Sequence, residues 1–386
     1  MRRVAYFVYL FFIVFLFLEI GLRIYNPFHL RLKGDKIVLP VDQRITITNR
    51  INPKLDATII NTRNSLGFRG PELPGSGAAQ GGGPAAGNGA APQGGDGALL
   101  KIITIGGSTT ECHFLNDEKT WPYLLGQMLA DSFRNCWLNN AGMDGHSTYG
   151  HLVLLNGHVK QLRPSVVLFL TGINDVENDA PTFHDKLNTR GAVPDWRHYI
   201  VENSEVLNLL VNLARGWRAQ KFNNTTGTMQ VLDSLRRLQL PDSVMNKRMA
   251  EQKPYLDAYR SRLLQLADTC LAWNILPVFI TQPNQFGTGR DPVTHADLEL
   301  YPVDPKDPKM NGKLMWDILE QYNDVVRRLC AERKLPLIDL ARRLPKNSDY
   351  FYDMSHFTND GAARVARVVD SSLQPVLERF FPAFRR

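Results

Sequence analysis

Four short stretches of this 386-residue chain hold the side chains best suited to chemistry. In "KIITIGGSTTECH", residues 101–113, an apolar run meets two glycines and then an isolated Ser108. A hydroxyl residue there is also what the start of any helix calls for, because the first helical N–H groups lack partners. On this stretch alone a helix cap is the simpler account, and the deciding signal lies elsewhere in the chain. "NNAGMDGHST", residues 139–148, places Gly142 and Gly145 where the backbone can turn tightly and expose N–H groups. "TGINDV", residues 171–176, sets Asn174 just past a glycine, and "FYDMSHFTNDG", residues 351–361, carries Asp353 and His356 on one loop. Read singly, Asp353 serves to cap a turn and Asn174 to stabilise its loop. Together a hydroxyl, a carboxylate-oriented histidine, a side-chain amide and exposed backbone amides are the parts that acyl transfer requires. Serine is a poor nucleophile at neutral pH until a neutral imidazole takes its proton, which is why the pairing matters.

The elements around these stretches decide whether they meet. From Lys101 onward the chain alternates apolar strands with amphipathic helices. "KIITI" leads to a helix around Trp121 to Ala130, "CWLNNA" to one around Tyr149 to Leu162, and "SVVLFLTG" to a long interruption. A helix around Tyr255 to Trp273, the strand "LPVFIT", a helix around Lys313 to Glu332, the strand "LPLIDL" and a last helix from Asp360, capped by Thr358 or Asn359, complete the series. Nearly all-apolar strands alternating with helices predict a parallel sheet covered on both faces. In such a sheet ligands bind outside the carboxyl ends of the strands, near the point where strand order reverses. The four stretches all fall on that rim.

At these residues the sequence resembles the SGNH hydrolases, also called the GDSL esterase and lipase family, from about Lys101 to the C-terminus. That family carries its four name-giving residues one per block, and the matching positions are Ser108 in "GGST", Gly145 in "NAGMDG", Asn174 in "GIND" and His356 in "DMSH". The resemblance implies that Ser108 is the nucleophile, His356 the base and Asp353 its partner. It also implies an oxyanion hole made by the Ser108 and Gly145 amides and the Asn174 side chain, with no cofactor. The family's usual GDS reads GGS here, so Gly107 stands where that family has an aspartate outside the triad. The segment "NSLGFRG", residues 64–70, looks like one carried by membrane-anchored members and has no chemical role at this stage. The expected fold is α/β, a flavodoxin-like three-layer sandwich with a central parallel sheet of about five strands and an N-terminal transmembrane helix.

Composition bounds the rest. Hydrophobic residues make up 44% and aromatics 10%, enough for one large α/β core plus an anchor and insertions. The formal charge of +7 comes from scattered basic residues, with no basic stripe interleaved with aromatics, which argues against nucleic acid. An anionic membrane surface or acidic glycan suits such a mild excess. Near the N-terminus no residue from Val4 to Leu18 is charged, and Ile20 to Leu22 bring the apolar run close to the about 20 residues that span a bilayer. Tyr6 and Tyr25 sit like interfacial aromatics, Arg2 and Arg3 precede the run, and no small-x-small cleavage site follows it. An uncleaved anchor with the body outside the cytoplasm is the reading, although Arg23, Arg31 and Lys33 also flank its far end.

The expected organisation is an anchor over residues 1–25, a juxtamembrane segment over 26–73, a Gly/Ala/Pro-rich flexible loop over 74–98, and a catalytic domain over 99–386 with an insertion at 176–254. Within the insertion "SEVLNLLVNLARGW" and "MQVLDSLRRLQL" both show helical apolar spacing, either as a cap over the site or as packing on its edge. Of the four cysteines, Cys112 and Cys136 fall at opposite edges of the sheet. Cys270 and Cys330 are the one pair that neighbouring helices could bring together, and free thiols are the default. His146, His151 and His158 lack the spacing of metal ligands, so no metal is expected. Tyr350, Phe351, Tyr352 and Trp121 read as packing rather than as a sugar platform. The function expected is a serine esterase acting on carboxylic esters, O-acetyl groups of an extracytoplasmic glycan first among them. A lipid or thioester hydrolase, a glycan O-acyltransferase and an inactive glycan-binding scaffold are the alternatives.

Overall fold

The computed structural model describes residues 2–25, 32–33, 36–37, 39, 41–49, 52–74, 98–182, 185, 203–211, 213, 232–303 and 309–386. The Gly/Ala/Pro-rich run lies outside these residues from 75 to 97, as do residues 214–217 and 229–231 of the two helical patterns in the insertion. The chain divides into two compact units, Met1–Val41 with Lys186–Thr226, and Asp42–Asp185 with Gly227–Arg386.

In the first unit α1 (Arg2–Ile24) is a single helix with a mean hydropathy of 2.3 along its apolar stretch. Its 23 residues rise about 34 Å, long enough and apolar enough to cross a membrane. Glu19, the lone acid of α1, is buried and caps a second helical stretch, residues 205–211. Its carboxylate accepts from the Ser204 hydroxyl at 2.9 Å and from the Glu205 and Val206 N–H groups at 3.0 and 3.1 Å. Two short strands, β1 (Leu32–Lys33) and β2 (Lys36–Ile37), pair antiparallel in the same unit.

The second unit opens with an antiparallel hairpin, β3 (Gln43–Thr48) and β4 (Thr58–Arg63). Its central sheet holds β5 (Leu100–Gly106), β6 (Cys136–Asn140), β7 (Val166–Thr171), β8 (Leu276–Thr281) and β9 (Leu337–Ile338). These five strands are all parallel, in the spatial order β6-β5-β7-β8-β9. Sequence order along the sheet is therefore second, first, third, fourth, fifth, and the reversal falls between β5 and β7.

Side chains alternate across the strands, so each strand serves two cores. Leu100, Ile102, Leu138, Val166, Leu168, Val278 and Ile280 pack with α3 (Trp121–Ser132) and the C-terminal helix, Asn359–Phe380. The alternate residues Ile103, Ile105, Val167, Phe169 and Phe279 are fully buried on the other face, and Phe169 stacks on Phe279 at 5.3 Å. That face is covered by α4 (Thr148–Leu154), by the long helix Lys253–Ala272, which Asp242–Ala250 precedes, and by Gly312–Arg333. Each such Leu, Ile or Phe removed from water contributes about 1.5–3 kcal/mol. Burial on both sides is why these strands read as unbroken apolar runs.

Three expectations needed correction. "MQVLDSLRRLQL" is not helical over residues 232–240; Leu232 is drawn into a core cluster with Phe286 and Tyr301, and the Leu238 N–H bonds the Leu300 carbonyl at 2.6 Å. "LPLIDL" gives only two strand residues, because Asp339 and Leu340 turn at once into a short helix, Leu340–Arg343. The helix expected from Tyr149 to Leu162 is α-helical only to Leu154, then widens into a π turn and tightens into a 3₁₀ turn. The four cysteines are unpaired, with Cys112, Cys270 and Cys330 buried and Cys136 half-buried.

Candidate active site

The site forms at the carboxyl ends of β5 and β7, where the strand order reverses. β5 delivers Gly106 and Gly107 into a one-turn helix, α2 (Ser108–Glu111). A Cβ on Gly106 would stand 2.1 Å from the Thr110 hydroxyl and 3.0 Å from the Leu170 carbonyl, so no side chain fits this turn. The N-cap of α2 is Gly107, and Ser108 makes no capping bond. Its hydroxyl instead meets His356 Nε2 at 2.8 Å. The other ring nitrogen, Nδ1, lies 2.7 Å from Asp353 Oδ2.

The loop between Tyr350 and Thr358 holds that pair rigidly. Asp353 Oδ1 accepts from the Ser355 and His356 N–H groups at 2.9 and 2.8 Å, while Tyr352 N–H bonds the His356 carbonyl at 3.0 Å. The imidazole lies flat on Tyr352, with ring centroids 5.5 Å apart and planes 10° from parallel. Thr358, not Asn359, caps the last helix, accepting from Gly361 N–H at 3.1 Å. Phe351, Tyr352 and Trp121 are buried as packing residues.

The structure also brings Asn174 and Gly145 to this corner. Asn174 donates one amide hydrogen from Nδ2 to the His146 carbonyl at 2.9 Å, which leaves the second free to point elsewhere. A Cβ on Gly107 would come within 2.5 Å of that same nitrogen. The glycine that departs from the usual GDS thus makes room for Asn174 beside the serine. Gly145 has φ +72°, a conformation that glycine adopts without strain. Among the described residues neither its N–H nor that of Ser108 meets a protein acceptor. Behind the Asn174 loop, Asp175 takes the Thr148 N–H and hydroxyl and the Arg262 guanidinium.

A model of the GDSL-like lipase/acylhydrolase family matches residues 104–364, more than half of the sequence. The chain belongs to this family. It is a serine hydrolase of the SGNH type, an esterase by class. Comparison with curated proteins gives no match. Among solved structures it is similar to a catalytic mutant of an acetylxylan esterase from Geobacillus stearothermophilus, at 15% identity, covering 71% of this chain and 94% of that one, with a TM-score of 0.41. TesA matches at 15% identity, 72% and 99% coverage and a TM-score of 0.39. A GDSL-like lipase from Bacteroides thetaiotaomicron matches at 11% identity, 72% and 88% coverage and a TM-score of 0.36. At such identities and scores these likenesses carry no argument about activity, and the family match alone assigns the chain.

The electrostatics of this acylhydrolase follow from burial and pairing. Burial opposes a charged His356, but the Asp353 charge and its hydrogen bond outweigh this and raise the imidazole pKa above its ordinary value. Burial likewise opposes a charged Asp353, and the His356 charge and three hydrogen bonds still hold its pKa down. Asp175 is pushed up to about 6 by burial, in spite of Arg262 and Thr148. His151 is buried and pushed down to about 3, so it is a neutral core histidine. No group of three or more potential metal ligands occurs among the described residues.

Sequence reasoning missed several residues that frame the site. Glu111, three positions after Ser108, is fully buried and pairs with Arg63 of β4. Arg69, in the segment left without a role, donates to the Glu111, Cys112 and Leu115 carbonyls at 2.7, 2.8 and 2.9 Å. Thr109 meets Gln282 at the end of β8 at 3.2 Å. The available signal was an acid next to the serine block, which an interior admits only with a partner.

Proposed function

We propose that Ser108, His356 and Asp353 form the catalytic triad of an esterase that removes O-acetyl groups from an extracytoplasmic glycan. The observation that carries this reading is the continuous relay from the Ser108 hydroxyl through both imidazole nitrogens to Asp353, at 2.8 and 2.7 Å. Neutral His356 takes the hydroxyl proton at Nε2 as Ser108 Oγ attacks the ester carbonyl. Negative charge develops on the carbonyl oxygen, which the Ser108 and Gly145 N–H groups and the second Asn174 amide hydrogen receive. Collapse of this intermediate releases the sugar hydroxyl, which takes its proton from His356 and leaves an acyl group on Ser108. Water, activated by the same imidazole, frees the acid and restores the serine. A helix able to span a bilayer, with its body held on the outer side, puts this chemistry beside surface polymers.

The reading is tested with purified full-length protein in detergent, given an O-acetylated oligosaccharide, an acyl phospholipid and an acyl thioester. Acetate release from the oligosaccharide at a rate well above the other two is the expected result. Preferential cleavage of lipid or thioester, or net transfer of acetyl to an added glycan acceptor, overturns the glycan esterase assignment.

The raised imidazole pKa sets the pH profile. The base works only when neutral, so kcat/KM falls as pH drops through the His356 value, and this acid limb lies above the ordinary histidine pKa of about 6.5. Asp353→Asn removes the charge that raises the value. Its acid limb is expected at lower pH, with a lower plateau from the misoriented imidazole. An unshifted limb in a folded variant would show that Asp353 is not the partner.

A further inference from the structure

We propose that the buried Arg63–Glu111 pair is a positioning device that sets the two backbone donors of the oxyanion hole relative to one another. This rests on the catalytic reading above. Glu111 ends the same one-turn helix that Ser108 begins, so its backbone moves with the nucleophile and with the Ser108 N–H. Its carboxylate is divided. Oε1 receives the Arg63 guanidinium, with His113 Nδ1 at 3.8 Å, and Oε2 receives the Asp144 N–H. Asp144 directly precedes Gly145.

Gly145, at φ +72°, is the pivot of its loop, and a glycine pivot leaves the flanking peptides free to rotate. The loop is held on both sides of it. The Asp144 N–H is fixed by Glu111, and the His146 carbonyl by Asn174 Nδ2 at 2.9 Å. Close packing adds a third restraint, because a Cβ on Gly142 would stand 2.5 Å from the Glu111 nitrogen. One side chain therefore ties the Ser108 helix to the Gly145 loop. Arg63 supplies the charge without which a fully buried carboxylate is strongly disfavoured. Arg69 fixes the far end of the same helix through the Glu111 and Cys112 carbonyls. The "NSLGFRG" segment and the strand before it thus belong to the active-site support.

The test uses Glu111→Gln and Arg63→Lys in the full-length protein. A glutamine turns one of the two carboxylate oxygens into an NH2 donor, which would face either the Arg63 guanidinium on Oε1 or the Asp144 N–H on Oε2, and it removes the charge that pairs with Arg63. Glu111→Gln is expected to lower kcat by about 10- to 100-fold, the scale of a donor displaced by about 1 Å, with KM changed less than about twofold. The acid limb of the pH profile is expected to stay above the ordinary histidine range, since the Asp353 charge and hydrogen bond that chiefly raise the His356 value are untouched and only the smaller contribution of Asp144 can change. In an Asn174→Ala background the same change is expected to cost less than in the wild type, because both act on one oxyanion. Arg63→Lys keeps the charge but loses the planar guanidinium, and is expected to lower kcat less than Glu111→Gln does, by about 3- to 10-fold. Should Glu111→Gln fail to fold, Arg63→Lys carries the test through a smaller loss in kcat at constant KM. Wild-type kcat in either folded variant, an acid limb lowered into the ordinary histidine range, or full additivity with Asn174→Ala overturns the proposal. Those results leave the catalytic reading standing as long as activity still depends on Ser108.

Discussion

Ser108→Ala is expected to bring hydrolysis of a small chromogenic ester to background while the protein keeps its thermal midpoint. The substitution removes the oxygen that lies 2.8 Å from His356 Nε2, just past the tip of β5. It does so without touching a helix cap, since Gly107 holds that position and the Ser108 side chain makes no capping bond. Alanine is also a favourable helix residue, so the local fold has no reason to open. Steady-state kinetics and labelling by a fluorophosphonate probe are the two measurements, and both signals should vanish together. Substantial turnover in a folded Ser108→Ala protein would reduce "GGST" to a turn and end the triad assignment.

His356→Ala is expected to be nearly as damaging, and the combination of both substitutions no worse than Ser108→Ala alone. In the proposed triad the hydroxyl and the imidazole act as one unit, so removing either removes the proton transfer that makes the other useful. The change also empties the space beside Tyr352, on which the ring is stacked at 5.5 Å, so the thermal midpoint needs to be followed in parallel. A fully additive double variant would mean that the two residues contribute separately, which contradicts a shared proton.

What could be read from the sequence followed burial. β5, β7 and β8 were legible because strands covered on both faces must be apolar throughout, and turn glycines mark their ends. The residues of the relay were legible for a related reason: each lies in a loop of polar and small residues after such a strand or before the last helix. β4 was not legible. Its buried positions are Ile59, Asn61 and Arg63, and two polar residues in three erase the alternation that announces a half-buried strand. Glu111 and Arg63 pair across 48 positions, and an ion pair at that separation leaves no local pattern. The stretch before Pro241 had helical spacing, yet Leu232 and Leu238 found partners in the 300 region, where tertiary packing overrides propensity.

The bond between Ser108 and His356 joins residues 248 positions apart. The C-terminal helix that follows His356 returns to pack on α3, and the Arg134 guanidinium bonds the Ala383 carbonyl at 2.6 Å. A ribosome adding about 5–20 residues per second needs roughly 12–50 s to travel from the serine codon to the histidine codon. On the proposed triad, the Ser108 hydroxyl lacks its base throughout that interval and is a poor nucleophile. The docking of the His356 loop is therefore, on that triad, a time lock: a chain without that loop in place has no base for Ser108, and refolding followed by ester turnover should show activity appearing no earlier than the contact of this loop with the Ser108 turn.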